Sequence, residues 1–166
     1  MLARMGRNVR RHAWEIALVL AVLIGVHAYK TRDHPLEAPV LEVRLLDGRE
    51  IMLGGPHARP RLLHFWATWC GVCRMEEGSV EALSHGADVV SVAVRSGSGA
   101  EVQRYMRERG LTFPVVNDPD GVLSRAHGVH AYPTSFFISP DGRITTSEVG
   151  YTTALGLRLR LWLASW

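Results

Sequence analysis

His64-Phe-Trp-Ala-Thr-Trp-Cys-Gly-Val-Cys-Arg74 contains both cysteines of a 166-residue chain. It follows directly on an apolar run, Arg61–Ala67, that reads as a buried strand. Beyond Cys70, the residues Val72, Met75, Val80 and Leu83 recur at helical spacing, so a helix starts at or beside the pair. Thiolate, not thiol, attacks a disulfide, and the first N–H groups of a helix together with its dipole favour negative charge at Cys70. Two intervening residues let Cys73 reach the Cys70 sulfur and release whatever it has captured. The spacing thus assigns Cys70 as the attacking sulfur and Cys73 as the resolving one. Two other uses of the pair compete with this. A structural disulfide across so short a loop stabilises little. A metal site lacks ligands, since His127 and His130 lie far outside finger spacing and no second Cys-x-x-Cys exists. Capture of a soft ion such as Cu(I) by the two sulfurs stays open.

The surrounding chain alternates strands and helices. Leu41–Leu45, the turn pair Asp47-Gly48 and Ile51–Leu53 form a hairpin signal. Val89–Val94 is a β-branched strand, and Ala100–Arg109 an amphipathic helix stopped by Gly110. Phe113–Val116 is a short strand and Val122–His127 a short helix. Phe136–Ile138 and Arg143–Val149 bracket Pro140-Asp141-Gly142 as a second hairpin. Leu155–Leu163 alternates like a strand, yet Leu155, Leu159, Trp162, Leu163 and Trp166 also make a helical stripe, and length favours the helix. The pattern is that of a layered α/β domain. Val89–Val94 followed by Gly97-Ser-Gly99 mimics a dinucleotide fingerprint, but Val102 occupies the third glycine position. Phe65, Trp66, Phe136 and Phe137 are core positions on two strands.

With 47% hydrophobic and 21% charged residues, the chain is an ordered protein of one domain plus a short appendage. The pI of about 9.2 suggests a nucleic-acid partner, but the basicity is local. Five of the 19 basic residues (Arg4, Arg7, Arg10, Arg11, Lys30) fall in residues 1–30 against one acid, Glu15, and the remainder is almost neutral. No nucleic-acid partner is expected, because binding needs a basic face on the folded domain. Ile16–Val26 is an uninterrupted apolar run, with Trp14 and Tyr29 near its flanks. The expected organisation is a cytoplasmic N-terminus (1–12), a transmembrane anchor (13–29), a linker (30–39) and the folded domain (40–166). Positive-inside bias puts that domain outside the cytoplasm, where disulfides persist. A cleaved signal peptide ending at Val26-His27-Ala28 is the rival reading and delivers the domain to the same space.

The segment around the cysteines resembles the active-site stretch of thioredoxin-like proteins, in particular the membrane-tethered TlpA/ResA/CcmG-like branch. Phe113-Pro-Val-Val-Asn-Asp, Ala131-Tyr-Pro-Thr and Leu157–Trp166 look most like the suppressor-for-copper-sensitivity D proteins of that branch. The likeness runs from about Val40 to the C-terminus. It implies a thioredoxin fold: a central mixed β-sheet flanked by helices, with an N-terminal β-hairpin and one transmembrane helix. It also implies a cis-proline at Pro133 facing Cys70 and Cys73, a substrate surface formed by Trp69, Tyr132 and Thr134, and an acidic helper at Glu76 that tunes a proton for Cys73. A solvated helix glutamate is the alternative for Glu76. Two positions depart from the family. His64 stands where thioredoxin has a buried aspartate and reads as a core histidine satisfied by backbone, with a neutral imidazole that accepts a proton in the carboxylate's place as the alternative. Gly71-Val72 replaces Gly-Pro, so thioredoxin's redox poise does not carry over. The implied function is thiol–disulfide exchange without cofactor or metal, with extracytoplasmic protein substrates and a membrane or periplasmic oxidoreductase as electron partner. The implied setting is the bacterial inner membrane, in copper-stress protection. Alternatives are a thioreductase of cytochrome c maturation and a copper-binding chaperone using the same cysteines.

Overall fold

The structure, a computed structural model, describes the backbone of residues 2–166 and the side chains of residues 12–166. The arginines at 4–11, on which the expected orientation of the anchor depends, lie outside the described side chains. The chain divides into an N-terminal unit ending at Arg32 and a second unit, Asp33–Trp166. The first is one helix, α1 (Leu2–Thr31). Its stretch His12–Thr31 has mean hydropathy 1.5 and is long and apolar enough to cross a membrane. Helix α1 runs past the expected end at residue 29. Thr31 Oγ1 donates to the His27 carbonyl at 3.0 Å, and the Arg32 guanidinium lies 4.4 Å from the Tyr29 ring centroid.

The second unit begins earlier than composition suggests. Ala38 is buried, Glu37 bridges to Arg143, and the Ile144 N–H donates to the Leu36 carbonyl at 2.9 Å. Much of the proline-containing 30–39 segment is therefore part of the packed unit rather than a free linker. Ala38, a few backbone hydrogen bonds and the His34 ring, which lies 2.8 Å from Ser147 Oγ and edge-on to Phe136, dock it, a pattern that does not show as periodicity.

Among the described residues the unit holds two sheets. The small one pairs β1 (Glu42–Arg44) with β2 (Glu50–Met52), antiparallel, around the turn at Gly48. The central sheet contains β3 (Arg61–Trp66), β4 (Asp88–Val94), β5 (Val115–Asp118), β6 (Thr134–Ile138) and β7 (Ile144–Val149). Their order is β5-β4-β3-β6-β7. β4 runs parallel to β3 and β5 parallel to β4; β6 and β7 are antiparallel additions. β3 and β4 are buried nearly throughout. This is why they read as continuous apolar runs rather than alternating ones.

Successive parallel crossovers of one hand and one direction leave their helices on one face of a sheet. Accordingly α2 (Gly71–Ser84) and α3 (Gly99–Arg109) share a core with Leu62, Trp66 and Phe137. The C-terminal α5 (Ala154–Leu163) joins them through Leu157 and Leu161. Leu63, Phe65 and Phe136 point the other way, into a second core that Leu123 of α4 (Val122–Ala126) helps to cover. Helix α5 is a helix as its length suggests, but the stripe that marks it is not its buried face. Leu155, Leu159, Trp162, Leu163 and Trp166 are all exposed, while Leu157, Leu161 and Ala164 are buried.

Helix α3 is closed at both ends. Ser98 and Glu101 form a reciprocal capping box, and Gly110 takes the left-handed conformation (φ 65) at the C-cap. Ser98→Ala is expected to lower stability by about 1 kcal/mol, seen as a lower urea midpoint at constant m value.

Candidate active site

Antiparallel pairing sets the beginning of one strand beside the end of its neighbour. Here Thr134, which opens β6, pairs with Phe65, one residue before β3 ends. The loop before β6 is thereby brought over the segment that leaves β3. Within that segment the Cys70 N–H donates to the Ala67 carbonyl at 3.1 Å, turning the chain into α2. Cys70 is the N-cap of α2, and its Sγ accepts the Cys73 N–H at 3.1 Å. A sulfur anion formed there meets a helix N–H already aimed at it. Cys70 and Cys73 are joined in a disulfide. Cys70 is 8% exposed and Cys73 3%, so the N-terminal sulfur is the more accessible.

The Tyr132–Pro133 peptide is cis. The Tyr132 carbonyl oxygen lies 3.6 Å from Cys70 Sγ. Trp69 is 58% exposed and meets the Tyr132 ring edge-on, with centroids 5.8 Å apart. Its indole N–H donates to the Arg95 carbonyl at 3.0 Å. Val72 and Met75 are also exposed, forming an apolar rim beside the nearly buried pair. Cys70, Cys73, Trp69, Tyr132 and Pro133 thus converge. Thr134 does not join the surface expected of it. It is 1% exposed and its hydroxyl donates to the Ala131 carbonyl at 2.8 Å, closing the 131–134 loop from within.

Glu76, one helical turn beyond Cys73, is completely buried, which removes the solvated alternative. Its Oε1 accepts the Thr152 N–H at 3.2 Å, and Oε2 has no hydrogen-bond partner. Burial pushes its pKa up to about 7, against the opposing pull of the Thr152 N–H. Thr152 stands just before α5, so the helix that covers this face also seals the carboxyl. His64 is buried as well. Its Nδ1 lies 2.9 Å from Ser135 Oγ, so a neighbouring hydroxyl satisfies it and not the backbone. Desolvation takes its pKa down to about 4, leaving the imidazole neutral at physiological pH. A group that changes charge near neutrality is therefore Glu76 rather than His64.

His127 packs against Phe65 and Phe136, on the sheet face opposite the cysteine core, with its Nδ1 2.8 Å from the Leu123 carbonyl. His130 is exposed and faces Asp33, 3.7 Å away. These histidines do not converge on the cysteines. Sequence reading missed Arg95, whose carbonyl holds Trp69 from a left-handed backbone (φ 47). Only its position after a strand and before Ser96-Gly97 pointed to an unusual turn.

This arrangement exchanges disulfides, and the chain is a thioredoxin-fold thiol–disulfide oxidoreductase. The AhpC/TSA family profile matches residues 36–147, and the chain belongs to that family, in its TlpA/ResA/CcmG-like branch. It is 31% identical over 150 residues to thiol-disulfide oxidoreductase ResA of Bacillus subtilis, covering 83% of each chain. It is 38% identical over 107 residues to a thioredoxin-like protein of Haemophilus influenzae, a match spanning 64% of each, just under two thirds. Among solved structures, a thiol:disulfide interchange protein of the thioredoxin family from Chlorobium tepidum superposes with TM-score 0.65 at 27% identity. That match covers 78% of this chain and 96% of the other.

Proposed function

We propose that this protein is a membrane-anchored oxidoreductase that exchanges disulfides with protein thiols outside the cytoplasm, with Cys70 as the reacting sulfur. The observation that carries this is Cys70 Sγ itself, held by the Cys73 N–H at the start of α2 and set against the Tyr132 carbonyl. A substrate thiolate attacks Cys70 Sγ, forming a mixed disulfide and releasing the Cys73 sulfur with the electron pair of the broken bond. A second substrate thiolate then attacks the substrate sulfur of that mixed disulfide. The substrate leaves oxidised, and the two cysteines hold its two electrons. Run backward, the same steps reduce a substrate disulfide.

Roles beyond the sulfurs follow from position. Trp69 and Tyr132, with the buried Pro133 setting the turn behind them, form the docking surface, where the backbone of an extended substrate segment lies along the 131–132 loop. Glu76 supplies or takes the proton as the Cys73 sulfur is released or re-engaged. Helix α1 is the anchor: its 20-residue apolar stretch matches the hydrocarbon thickness at about 1.5 Å per residue. The sequence likeness in Phe113–Asp118, Ala131–Thr134 and the C-terminal run supports a setting in copper-stress protection.

Cys73→Ser tests the reading in native membranes. Without the resolving sulfur, Cys70 keeps its captured partner, so adducts that collapse under dithiothreitol are expected on non-reducing gels. Failure of the variant to form any such adduct, with wild-type protein that turns over no dithiol, would refute the proposal. The trapped partner's response to copper identifies the setting.

A further inference from the structure

We propose that the groove beside Cys70 selects substrate segments that carry carboxylates next to the reacting cysteine, with Arg95 and Arg125 as the residues that bind them. The inference rests on the exchange function proposed above and names the class of protein segment that function acts on. The groove begins at Trp69 and Tyr132, the two rings beside the sulfur, and extends to Arg95, Arg125 and His130. Among the described residues, no carboxylate lines it.

The two arginines converge. Arg95 Nε and Arg125 Nη1 each lie 3.2 Å from the point that a Cβ on Gly121 would occupy, so these nitrogens are within twice that distance of each other. Both side chains are exposed. Arg125 Nη1 donates to the Asp120 backbone carbonyl at 2.8 Å, and the exposed Asp120 carboxylate makes no ion pair with it. Neither arginine has a carboxylate within ion-pair distance among the described residues. Asp118, a nearby acid in sequence, is buried and turned away: its two oxygens accept the Leu123 and Ser124 N–H groups at 3.2 and 3.0 Å. At the rim His130 faces the Asp33 carboxylate at 3.7 Å, and the two arginines are the permanent positive charges of the groove's lining.

Two guanidinium groups side by side repel until an anion joins them, and their planar donor sets match carboxylates. The backbone fixes this geometry. Arg95 sits at φ 47, a left-handed conformation that a β-substituted residue adopts only under strain. Its carbonyl is tied to Trp69, and Trp69 adjoins Cys70, which couples the charged end of the groove to the reacting sulfur. A segment whose own sulfur meets Cys70 while its chain follows the 131–132 loop brings its neighbouring side chains toward the arginines.

The test uses the full chain in neutral detergent and two synthetic peptides, identical except that aspartates or lysines flank a single cysteine. The rate of reduction of the Cys70–Cys73 disulfide by each peptide is divided by that peptide's rate with hydroxyethyl disulfide, which cancels differences in thiol acidity. The aspartate peptide is expected to be favoured about tenfold at low ionic strength, falling toward parity in about 1 M salt, where the Debye length is about 3 Å. The double variant Arg95→Gln, Arg125→Gln is expected to bring the ratio near one, and Arg125→Glu to shift it toward the lysine peptide. Equal corrected rates in the wild type, or a preference that survives in the double variant, would overturn the proposal and leave the exchange reading intact. A disulfide that even dithiothreitol cannot open would overturn both.

Discussion

Cys70→Ser is expected to abolish disulfide exchange, lowering the rate by at least about a thousandfold, because the residue supplies both the bond that forms and the bond that breaks. A serine hydroxyl stays protonated at neutral pH and cannot join a sulfur to its oxygen reversibly. The remaining Cys73 is the less exposed of the two and lies within the first turn of α2 instead of capping it. Substrate thiolates therefore have no internal disulfide to attack in this variant, and a substrate disulfide meets only the buried Cys73. Reduction of an insulin-type disulfide substrate, or oxidation of a dithiol peptide, measures the loss. The same geometry separates the two sulfurs in the reduced wild type. At pH 7 Cys70 is expected to react with iodoacetamide at least about tenfold faster than Cys73, because the thiolate is the nucleophile and Cys70 both holds the cap position and is the less buried of the two. Equal alkylation of the two, or retention of more than a tenth of the activity in Cys70→Ser, would contradict the assignment.

The features that sequence reveals here are those whose cause is local. The strand–Cys-x-x-Cys–helix order is visible because β3 is buried on both faces and Cys70 caps the helix it precedes. Gly110 announces the end of α3 because that position needs φ 65. What sequence hides depends on distant packing. The burial of Glu76 comes from Thr152, 76 positions away, and from the α5 that follows it. His64 finds its partner in Ser135 across the β3–β6 pairing. Thr134 resembles a surface residue in the Tyr-Pro-Thr motif, yet the loop turns its hydroxyl inward to Ala131. In α5 every second residue is leucine, so periodicity alone cannot say which leucines face the core. The sheet face already occupied by α2 and α3 chose Leu157 and Leu161. Arg95 and Arg125 are 30 residues apart, and nothing in the chain between them indicates that their guanidinium groups meet over Gly121.

Glu76→Gln is expected to stabilise the folded unit at alkaline pH, by about 3 kcal/mol at pH 8 relative to its effect at pH 4. The carboxyl ionises near its ordinary 4.5 in the unfolded chain and at about 7 in the folded one. Below 4.5 it is protonated in both states. Between the two values the folded state binds more protons than the unfolded state, so stability falls as pH rises, and above 7 the full penalty is present. Glutamine keeps an oxygen for the Thr152 N–H but never ionises, so the pH-dependent loss disappears. Urea unfolding of the oxidised protein at pH 4 and pH 8 measures it; a difference between variant and wild type that is constant across this range would show that Glu76 does not titrate in the fold. The same proton links stability to chemistry. When the disulfide opens, a sulfur anion appears at Cys73, one turn from a carboxyl that is half ionised at about pH 7. Two negative charges there are mutually unfavourable, so the neutral carboxyl either donates its proton to the sulfur or waits protonated until the disulfide reforms. Removing it in Glu76→Gln is expected to flatten the pH dependence of Cys73 alkylation between pH 6 and 8 while leaving the pH dependence at Cys70, which caps α2 ahead of Cys73, close to that of the wild type.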